Sequence, residues 1–217
     1  MTYNIVEIFN SIEGEGIRAG KAATFIRLAG CNLRCTYCDT TYAIDGTYTE
    51  MTIPEIVSKV KEADLPHITI TGGEPLCTKD IKILVLELLK LDKEVNIETN
   101  GSIDITEYNS IPADLFFTMD YKLPSSGVTE HMCIPSFNSL TDEDVLKFVI
   151  SDENDISHMI EFIKTLESNP LIYIGAVFGK YEPQKLANAI LKYPELKRAT
   201  LQLQLHKILW DPQERGV

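Results

Sequence analysis

The sequence alternates short, almost continuous apolar runs with longer amphipathic stretches. Six short runs rich in β-branched and aromatic residues predict strands that are covered on both faces, as in a parallel sheet. Four amphipathic stretches between them repeat apolar residues at helical period and predict helices. The predicted strands cover residues 23–28, 67–71, 95–99, 115–119, 146–150 and 171–176, and the predicted helices cover residues 52–63, 80–91, 154–167 and 183–193.

The connections between the predicted strands differ in character. Thr52 and Glu55 have the spacing of a capping box at the start of the first predicted helix. Segments 100–114 and 120–145 instead contain Gly, Pro, Asn and Ser without a long amphipathic period. We therefore expect these two crossovers to have lost most of their helix.

The two ends of the chain predict two further strands. Residues 3–9 form one, and residues 199–205 form the other because TLQLQL alternates polar and apolar residues like a half-exposed edge strand. The whole pattern predicts one α/β domain over residues 1–217, a partial TIM-like barrel of six parallel strands with reduced crossover helices and extra edge strands at the termini. In such a barrel the active site lies at the carboxyl ends of the strands.

Charge and composition narrow the class of partner. The 217 residues carry a net charge of −12, which argues against a broad basic surface for nucleic acid. No apolar run approaches the roughly 20 residues that span a bilayer, and the first residues lack the basic and then apolar order of a secretion signal. We expect a cytoplasmic protein that acts on a small molecule and binds neither nucleic acid nor a membrane.

Three of the five cysteines lie on one loop, directly after the first predicted parallel strand. Cys31, Cys35 and Cys38 form a CxxxCxxC motif, and three thiolates can hold a 4Fe-4S cluster while one iron stays open to an outside ligand. The amino and carboxylate groups of S-adenosylmethionine suit that open iron. Cys77 and Cys133 do not form a second CxxC motif, which would complete an ordinary four-cysteine zinc site. Two alternatives to a cluster are a zinc site completed by a distant Cys or His and three buried thiols.

The surroundings of the cysteines resemble a known family. CxxxCxxC after one strand and TGGEP at residues 71–75 after the next are similar to motifs of the radical S-adenosylmethionine superfamily, whose partial barrel has six strands. More closely, the chain resembles the 7-carboxy-7-deazaguanine synthases. The segments that carry this resemblance are FNSIEGEG at residues 9–16, Arg27, the triplet Cys38-Asp39-Thr40, and LQLHKILW followed by the final Gly216-Val217.

The resemblance implies a carbon–nitrogen lyase on the route to queuosine and related 7-deazapurines of tRNA. In that family a reduced cluster cleaves bound S-adenosylmethionine to a 5′-deoxyadenosyl radical, which abstracts hydrogen from C6 of 6-carboxy-5,6,7,8-tetrahydropterin. The pyrazine ring then contracts with loss of ammonia and gives 7-carboxy-7-deazaguanine. The resemblance also implies an external, flavodoxin-like electron donor and a homodimer.

One set of residues is implied for the pterin substrate. A guanidinium grips a carboxylate with two parallel hydrogen bonds, so Arg27 suits the substrate carboxylate, whereas the alternative is a pairing with a surface acid. Peptide groups of residues 12–14 and the Glu15 carboxylate suit the ring's amide and amine edges, with a solvated turn as the alternative. The implied substrate residues are Ile12, Glu13, Gly14, Glu15, Arg27, Thr71, His206 and Val217.

A second set of residues is implied for the cofactors. Thr40 is implied as a ligand of Mg²⁺, a hard cation that prefers oxygen, while the alternative is a hydroxyl that caps a turn. The chain has Asp120-Tyr121-Lys122 where many relatives read Ser-Pro-Lys. No protein side chain is implied as catalytic. The implied residues for S-adenosylmethionine are Tyr37, Cys38, Asp39, Gly73, Glu98, Asp120 and Lys122.

Two other functions fit part of the pattern. A small activase that makes a glycyl radical on a partner protein also carries CxxxCxxC, but it has no need of FNSIEGEG, Arg27 or a returning tail. A non-catalytic iron–sulfur or zinc module is the other alternative, and metal analysis separates it from an enzyme.

Overall fold

The computed structural model of the chain describes residues 1–111 and 114–217, so residues 112–113 of the predicted loop 100–114 lie outside the described residues. It contains one nine-stranded sheet with the strand order β3-β1-β2-β4-β5-β6-β7-β8-β9. The strands are β1 (Thr2–Ile12), β2 (Ala22–Leu28), β3 (Thr49–Thr52), β4 (His67–Gly72), β5 (Glu94–Thr99), β6 (Leu115–Asp120), β7 (Val145–Ile150), β8 (Leu171–Ala176) and β9 (Ala199–Leu201). The helices are α1 (Tyr42–Asp45), α2 (Ile53–Ala63), α3 (Ile81–Leu89), α4 (Ile134–Asn138), α5 (Glu153–Thr165), α6 (Pro183–Lys192) and α7 (His206–Leu209).

The six strands predicted to be parallel are parallel: β2, β4, β5, β6, β7 and β8 pair in this order. The predicted amino-terminal strand is confirmed as β1, which is antiparallel to β2 and carries the short β3 on its other side. The two edges of the sheet are β3 and β9, so the barrel is open, as predicted.

The predicted strand at residues 199–205 is wrong beyond Leu201, where β9 ends. The side chain of Gln202 turns inward and accepts a 2.5 Å hydrogen bond from the Gly16 amide. The Leu205 amide donates to the carbonyl of Gly14. The alternating segment therefore leaves the sheet because its polar groups bind the turn between β1 and β2.

The four predicted helices form with bounds shifted by one or two residues, as α2, α3, α5 and α6. The predicted capping box is present, because the Thr52 amide donates to Glu55 Oε2 at 2.7 Å. The crossovers after β5 and β6 contain only short turns of 3-10 helix and α4 within the described residues, which confirms their reduction. None of the described helices is long and apolar enough to cross a membrane.

The two faces of the sheet differ in polarity. Buried apolar side chains such as Ile26, Ile70 and Leu146 pack on the face that the helices cover. Because side chains alternate along a strand, the neighbouring residues Arg27, Thr71 and others point to the opposite, concave face. The inside of the open barrel is thus polar at the carboxyl ends of its strands.

Candidate active site

A cavity opens at the carboxyl ends of the parallel strands, where the long loops meet. It is lined by the cysteine loop, by the turn after β4, by the ends of β5, β6 and β7, and by the carboxyl-terminal segment. The predicted site residues that line it are Cys31, Cys35, Tyr37, Cys38, Asp39, Thr40, Thr71, Gly73, Glu98, Asp120 and Lys122.

The cysteine loop is held closely against the turn after β4. The amide of Glu74 donates to the carbonyl of Gly30 at 2.8 Å. A Cβ at position 73 would overlap that same carbonyl oxygen and lie 2.8 Å from Cβ of Cys31. Gly73 is therefore required by backbone contact, which is the reason for a glycine in TGGEP at this position.

Glu74 organises this region, and sequence reasoning did not assign it a role. Its side chain is 0% exposed and accepts hydrogen bonds from Thr99 Oγ1 at 2.9 Å and from the Asn100 amide at 2.6 Å. Burial raises the pKa of Glu74. The carboxyl group joins the loop after β4 to the end of β5; its place directly after two glycines was the available signal.

The residues present fit an iron–sulfur cluster by their chemistry. All three cysteines are free thiols. The Leu33 amide and the Asn100 side chain donate to Sγ of Cys31 at 3.4 and 3.7 Å, the kind of contact that stabilises cluster thiolates. Among the described residues, no three His, Cys, Asp or Glu side chains are already drawn together as a metal site.

Two buried polar atoms of residues that line the cavity near the cysteine loop have no hydrogen-bond partner within the described residues. They are the hydroxyl of Tyr37 and Oδ1 of Asp120. The other oxygen of Asp120 accepts from Lys122 Nζ at 2.8 Å. Burial would lower the pKa of Lys122, but the Asp120 carboxylate together with nearby Cys35 and Asp39 raises this pKa overall. Unpaired buried donors and acceptors suit a polar ligand such as S-adenosylmethionine.

Tyr121 is the middle residue of the Asp120-Tyr121-Lys122 segment that departs from the Ser-Pro-Lys expected from the resemblance. Its ring stacks on Phe162 at 3.8 Å between centroids and meets Phe137 and Phe148 as well. Tyr121 therefore fills the core, while its neighbours Asp120 and Lys122 line the cavity.

A buried ion pair joins Lys147, which lines the cavity together with the cysteines, to Glu15 in the turn between β1 and β2. Lys147 of β7 donates to the carboxylate of Glu15, and the two side chains are only 13% and 12% exposed. Burial would raise the pKa of Glu15, but the Lys147 ammonium outweighs it and lowers this pKa. Lys147 was missed by sequence reasoning, although it is the one charged residue of the apolar run LKFVI.

Glu13 and Gly14 lie in the turn between β1 and β2. The Glu13 carboxyl group is buried and accepts a hydrogen bond from Thr69. Burial and the nearby charge of Glu98 raise its pKa to about 8. The Glu13 amide donates to Lys21, and its carbonyl accepts from Gly20, so the backbone of Glu13 is already used within the turn.

The carboxyl-terminal segment returns over this turn, as the resemblance implies. A Cβ on Gly14 would overlap Nδ1 of His206, which places the ring directly against the turn. Burial lowers the pKa of His206, so the ring is neutral near pH 7. Lys207 donates to Oδ2 of Asp39 at 2.6 Å and so ties the tail to the cysteine loop.

Arg27 lies beside the cavity and already has a partner. Its Nε donates to Glu7 at 2.7 Å, and the Tyr42 hydroxyl donates to the same oxygen at 3.1 Å. Arg215 stacks over the Tyr42 ring at 3.9 Å, and position 216 lies near Glu7. The structure thus brings the chain terminus, with the half-buried Val217, close to Arg27. Ile12 is the last residue of β1 and pairs with Ala22.

Comparisons with known proteins place this geometry in a family. A family model described as the radical SAM superfamily matches residues 25–110. The 7-carboxy-7-deazaguanine synthase of Clostridium acetobutylicum is 44% identical over 223 residues, covering 100% of each chain. That of Methanospirillum hungatei is 38% identical and covers 96% of this chain and 86% of the relative. The chain belongs to the 7-carboxy-7-deazaguanine synthase family. Membership implies a 4Fe-4S cluster and S-adenosylmethionine as cofactors.

Solved structures agree on the fold of this family member. A crystal structure of QueE from Escherichia coli matches with a TM-score of 0.76 at 21% identity and covers 93% of this chain and 94% of that chain. Streptococcus suis SuiB bound to S-adenosylmethionine matches with a TM-score of 0.56 at 14% identity, over 80% of this chain and 44% of that chain. These two likenesses show the fold, and the synthase relatives favour a radical enzyme of this family over an activase or a non-catalytic metal module.

Proposed function

We propose that the protein converts 6-carboxy-5,6,7,8-tetrahydropterin to 7-carboxy-7-deazaguanine with loss of ammonia, in the biosynthesis of queuosine and related 7-deazapurines. The observation that carries the proposal is one cavity lined both by the three-cysteine loop and by Lys147, which pairs with the buried Glu15 behind it. The synthase relatives, of which one aligns over the whole chain, support the same reaction.

The cofactor side of the cavity would hold S-adenosylmethionine. Tyr37, Asp39, Gly73, Glu98, Asp120 and Lys122 line it together with the cysteines. When bound at the reduced cluster, S-adenosylmethionine supplies a 5′-deoxyadenosyl radical, and this chemistry belongs to the cofactor. The contribution of the chain is to place the substrate and to exclude water.

The substrate side would hold the aminopyrimidine edge of the pterin. Lys147 keeps Glu15 ionised, and an ionised carboxylate accepts two neighbouring N–H donors of such a ring. Gly14 and His206 lie next to Glu15 in the turn and the tail, and Thr71 Oγ1 donates to Glu98 at 2.7 Å on the cavity wall. Because the Glu13 amide is used within the turn, its carbonyl, with a second lone pair, is the backbone group of Glu13 left for the ring.

The substrate carboxylate would be held by Arg27 and by Mg²⁺. The Nε of Arg27 is engaged by Glu7, so the terminal nitrogens of the guanidinium would reach the substrate. Thr40 lines the cavity with its hydroxyl 3.1 Å from Asp39 Oδ1, and its oxygen would be a Mg²⁺ ligand alongside substrate oxygens and water. The Val217 carboxylate would close the site from the tail.

The product assay tests this proposal directly. Protein reconstituted with iron and sulfide is incubated with dithionite, S-adenosylmethionine and the carboxytetrahydropterin, and 7-carboxy-7-deazaguanine is expected. Release of 5′-deoxyadenosine without that product would overturn the substrate and leave the radical chemistry intact. Cys35→Ala is expected to abolish both the cluster absorbance and the product.

Two partners complete the proposal. A flavodoxin-like protein is the proposed electron donor, and reduced flavodoxin should replace dithionite in the product assay. The proposed assembly is a homodimer, and light scattering after size-exclusion chromatography should give twice the 24.4 kDa of the chain.

A further inference from the structure

We propose that Asp155 is a positioning residue for the cysteine loop. Its buried carboxylate fixes the turn at Pro124–Ser126. This turn binds Thr36 of the cysteine loop, which lies between the second and third cysteines. Asp155 thereby controls how tightly the loop retains the cluster. The inference depends on the cluster that family membership brings and is independent of the proposed substrate.

Asp155 gathers three donors from two segments. The side chain is 0% exposed in the first turn of α5. Its Oδ1 accepts from the Ser125 amide at 3.0 Å, and its Oδ2 accepts from the Ser125 hydroxyl at 2.5 Å and from the Ser151 amide at 2.9 Å. A buried carboxylate is costly unless it is hydrogen-bonded, so these bonds fix Ser125 relative to the end of β7.

Two carbonyl groups of the turn at Pro124–Ser126 accept hydrogen bonds from the cysteine loop and so fix the loop relative to the turn. The hydroxyl of Thr36 donates to the Ser125 carbonyl at 2.6 Å, and its amide donates to the Ser126 carbonyl at 3.0 Å. Gly127, with a φ of +74°, ends the turn, and a Cβ there would lie 3.4 Å from Cγ2 of Thr36. Thr36 is therefore docked by shape as well as by hydrogen bonds.

This docking point is separate from the other two that hold the loop. The start of the loop is bound by Glu74 and Asn100, and its end is bound through Asp39 by Lys207. The contact at Thr36 lies across the mouth of the barrel from β2, at the loop that follows β6. Losing it should loosen the segment between Cys35 and Cys38 and leave the ends of the loop in place.

The alternative is that Asp155 only stabilises the start of α5. The chain offers a matched control, because Asp152 caps the same helix by accepting the Asp155 amide at 3.0 Å. Asp152 has no hydrogen bond to the turn at Ser125 among the described residues. Replacing an N-cap destabilises the start of its helix, so Asp152→Ala reports what a purely structural loss does.

The test compares Asp155→Asn, Thr36→Val, the double variant and Asp152→Ala. The cluster-loaded proteins are mixed with an iron chelator without oxygen, and the loss of cluster absorbance is timed under folding conditions beside urea unfolding. One hydrogen bond is worth about 1 kcal/mol, so each of the first two variants should speed iron loss by about fivefold. The double variant should be no faster than the faster single one, and Asp152→Ala should keep the wild-type rate.

Two outcomes would overturn the proposal. One is iron loss from Asp152→Ala that is as fast as from Asp155→Asn, and the other is multiplication of the two single effects in the double variant. Should Asp155→Asn fail to fold, Ser125→Ala takes its place, because it removes only the hydroxyl bond to Asp155. Thr36→Ser keeps the donating hydroxyl and should restore slow iron loss.

Discussion

The proposed cofactor side and the proposed substrate side of the site are built in different ways. On the cofactor side, the cysteine loop and the turn after β4 meet through backbone atoms, with Gly73 against the carbonyl of Gly30. On the substrate side, Glu15, Lys147 and His206 come from a turn, a strand and the tail, and they meet through side chains. The first arrangement tolerates no added atoms, whereas the second tolerates a change of shape but depends on charge.

Gly73→Ala should give the largest effect on activity, because the new Cβ would overlap backbone that cannot move without shifting Cys31. A misplacement of about 1 Å in an active site costs on the order of 100-fold in rate. We expect at least that loss in the release of 5′-deoxyadenosine from S-adenosylmethionine. Gly175→Ala is the control, since its Cβ would lie 3.7 Å from the nearest atom. Wild-type cleavage by Gly73→Ala would contradict the backbone contact.

Lys147→Met should give the next largest effect, because it leaves the buried carboxylate of Glu15 without its partner. Breaking a buried pair in this way costs about 3–5 kcal/mol. We expect a fall of that order in the free energy of unfolding at about pH 7, measured with urea, together with loss of pterin binding.

The pH dependence of that loss has a defined sign. The pKa of Glu15 is lowered in the folded protein, so the pair's stabilisation is present above the ordinary glutamate pKa and disappears as the pH falls through the lowered value. The difference between wild type and Lys147→Met should therefore shrink in acid. Adding Glu15→Gln to Lys147→Met should restore part of the stability, and a further fall on adding it would contradict the pairing.

The cofactor side could be predicted from the sequence because each of its parts is continuous in the chain. CxxxCxxC and TGGEP each follow a strand whose apolar run is clear, and parallel strands bring their carboxyl ends together. The six parallel strands were predictable for the same reason. The glycines and cysteines of these motifs, and the spacing between them, are sufficient to predict the local backbone geometry.

Contacts between segments that are distant in the sequence could be predicted only in part, on both sides of the cavity. Glu15 and His206 were found through the resemblance. For Lys147 and Asp155, no pattern in the neighbouring sequence predicts which residues they contact. Their roles arise where distant strands and loops meet. The strand predicted at residues 199–205 failed for a related reason, because its alternation cannot reveal that Gln202 binds the Gly16 amide.

Gly14→Ala should have a smaller effect than Gly73→Ala, although its Cβ also meets an atom too closely. The obstacle is the ring of His206, a side chain that can turn away, and overpacking of this kind costs about 1–3 kcal/mol. We expect normal release of 5′-deoxyadenosine and a KM for the pterin raised by about tenfold, since that corresponds to about 1.4 kcal/mol. With His206→Ala already present, Gly14→Ala should add little; a full additional loss would show that the ring is not the obstacle.

Glu13→Gln should give the smallest effect, seen only in how stability depends on pH. Burial and the charge of Glu98 raise the pKa of Glu13 to about 8, so the folded protein binds a proton that the unfolded chain has released above its ordinary pKa of about 4.3. Stability therefore falls as the pH rises from that ordinary value to the raised one, and it falls no further above it. Glutamine has the same shape but takes up no proton. The melting temperature of the variant should therefore rise relative to that of the wild type as the pH increases between these two pKa values. Parallel curves for the two proteins would mean that the pKa of Glu13 is not raised, so that this buried group carries a charge in the folded state as it does in the unfolded chain.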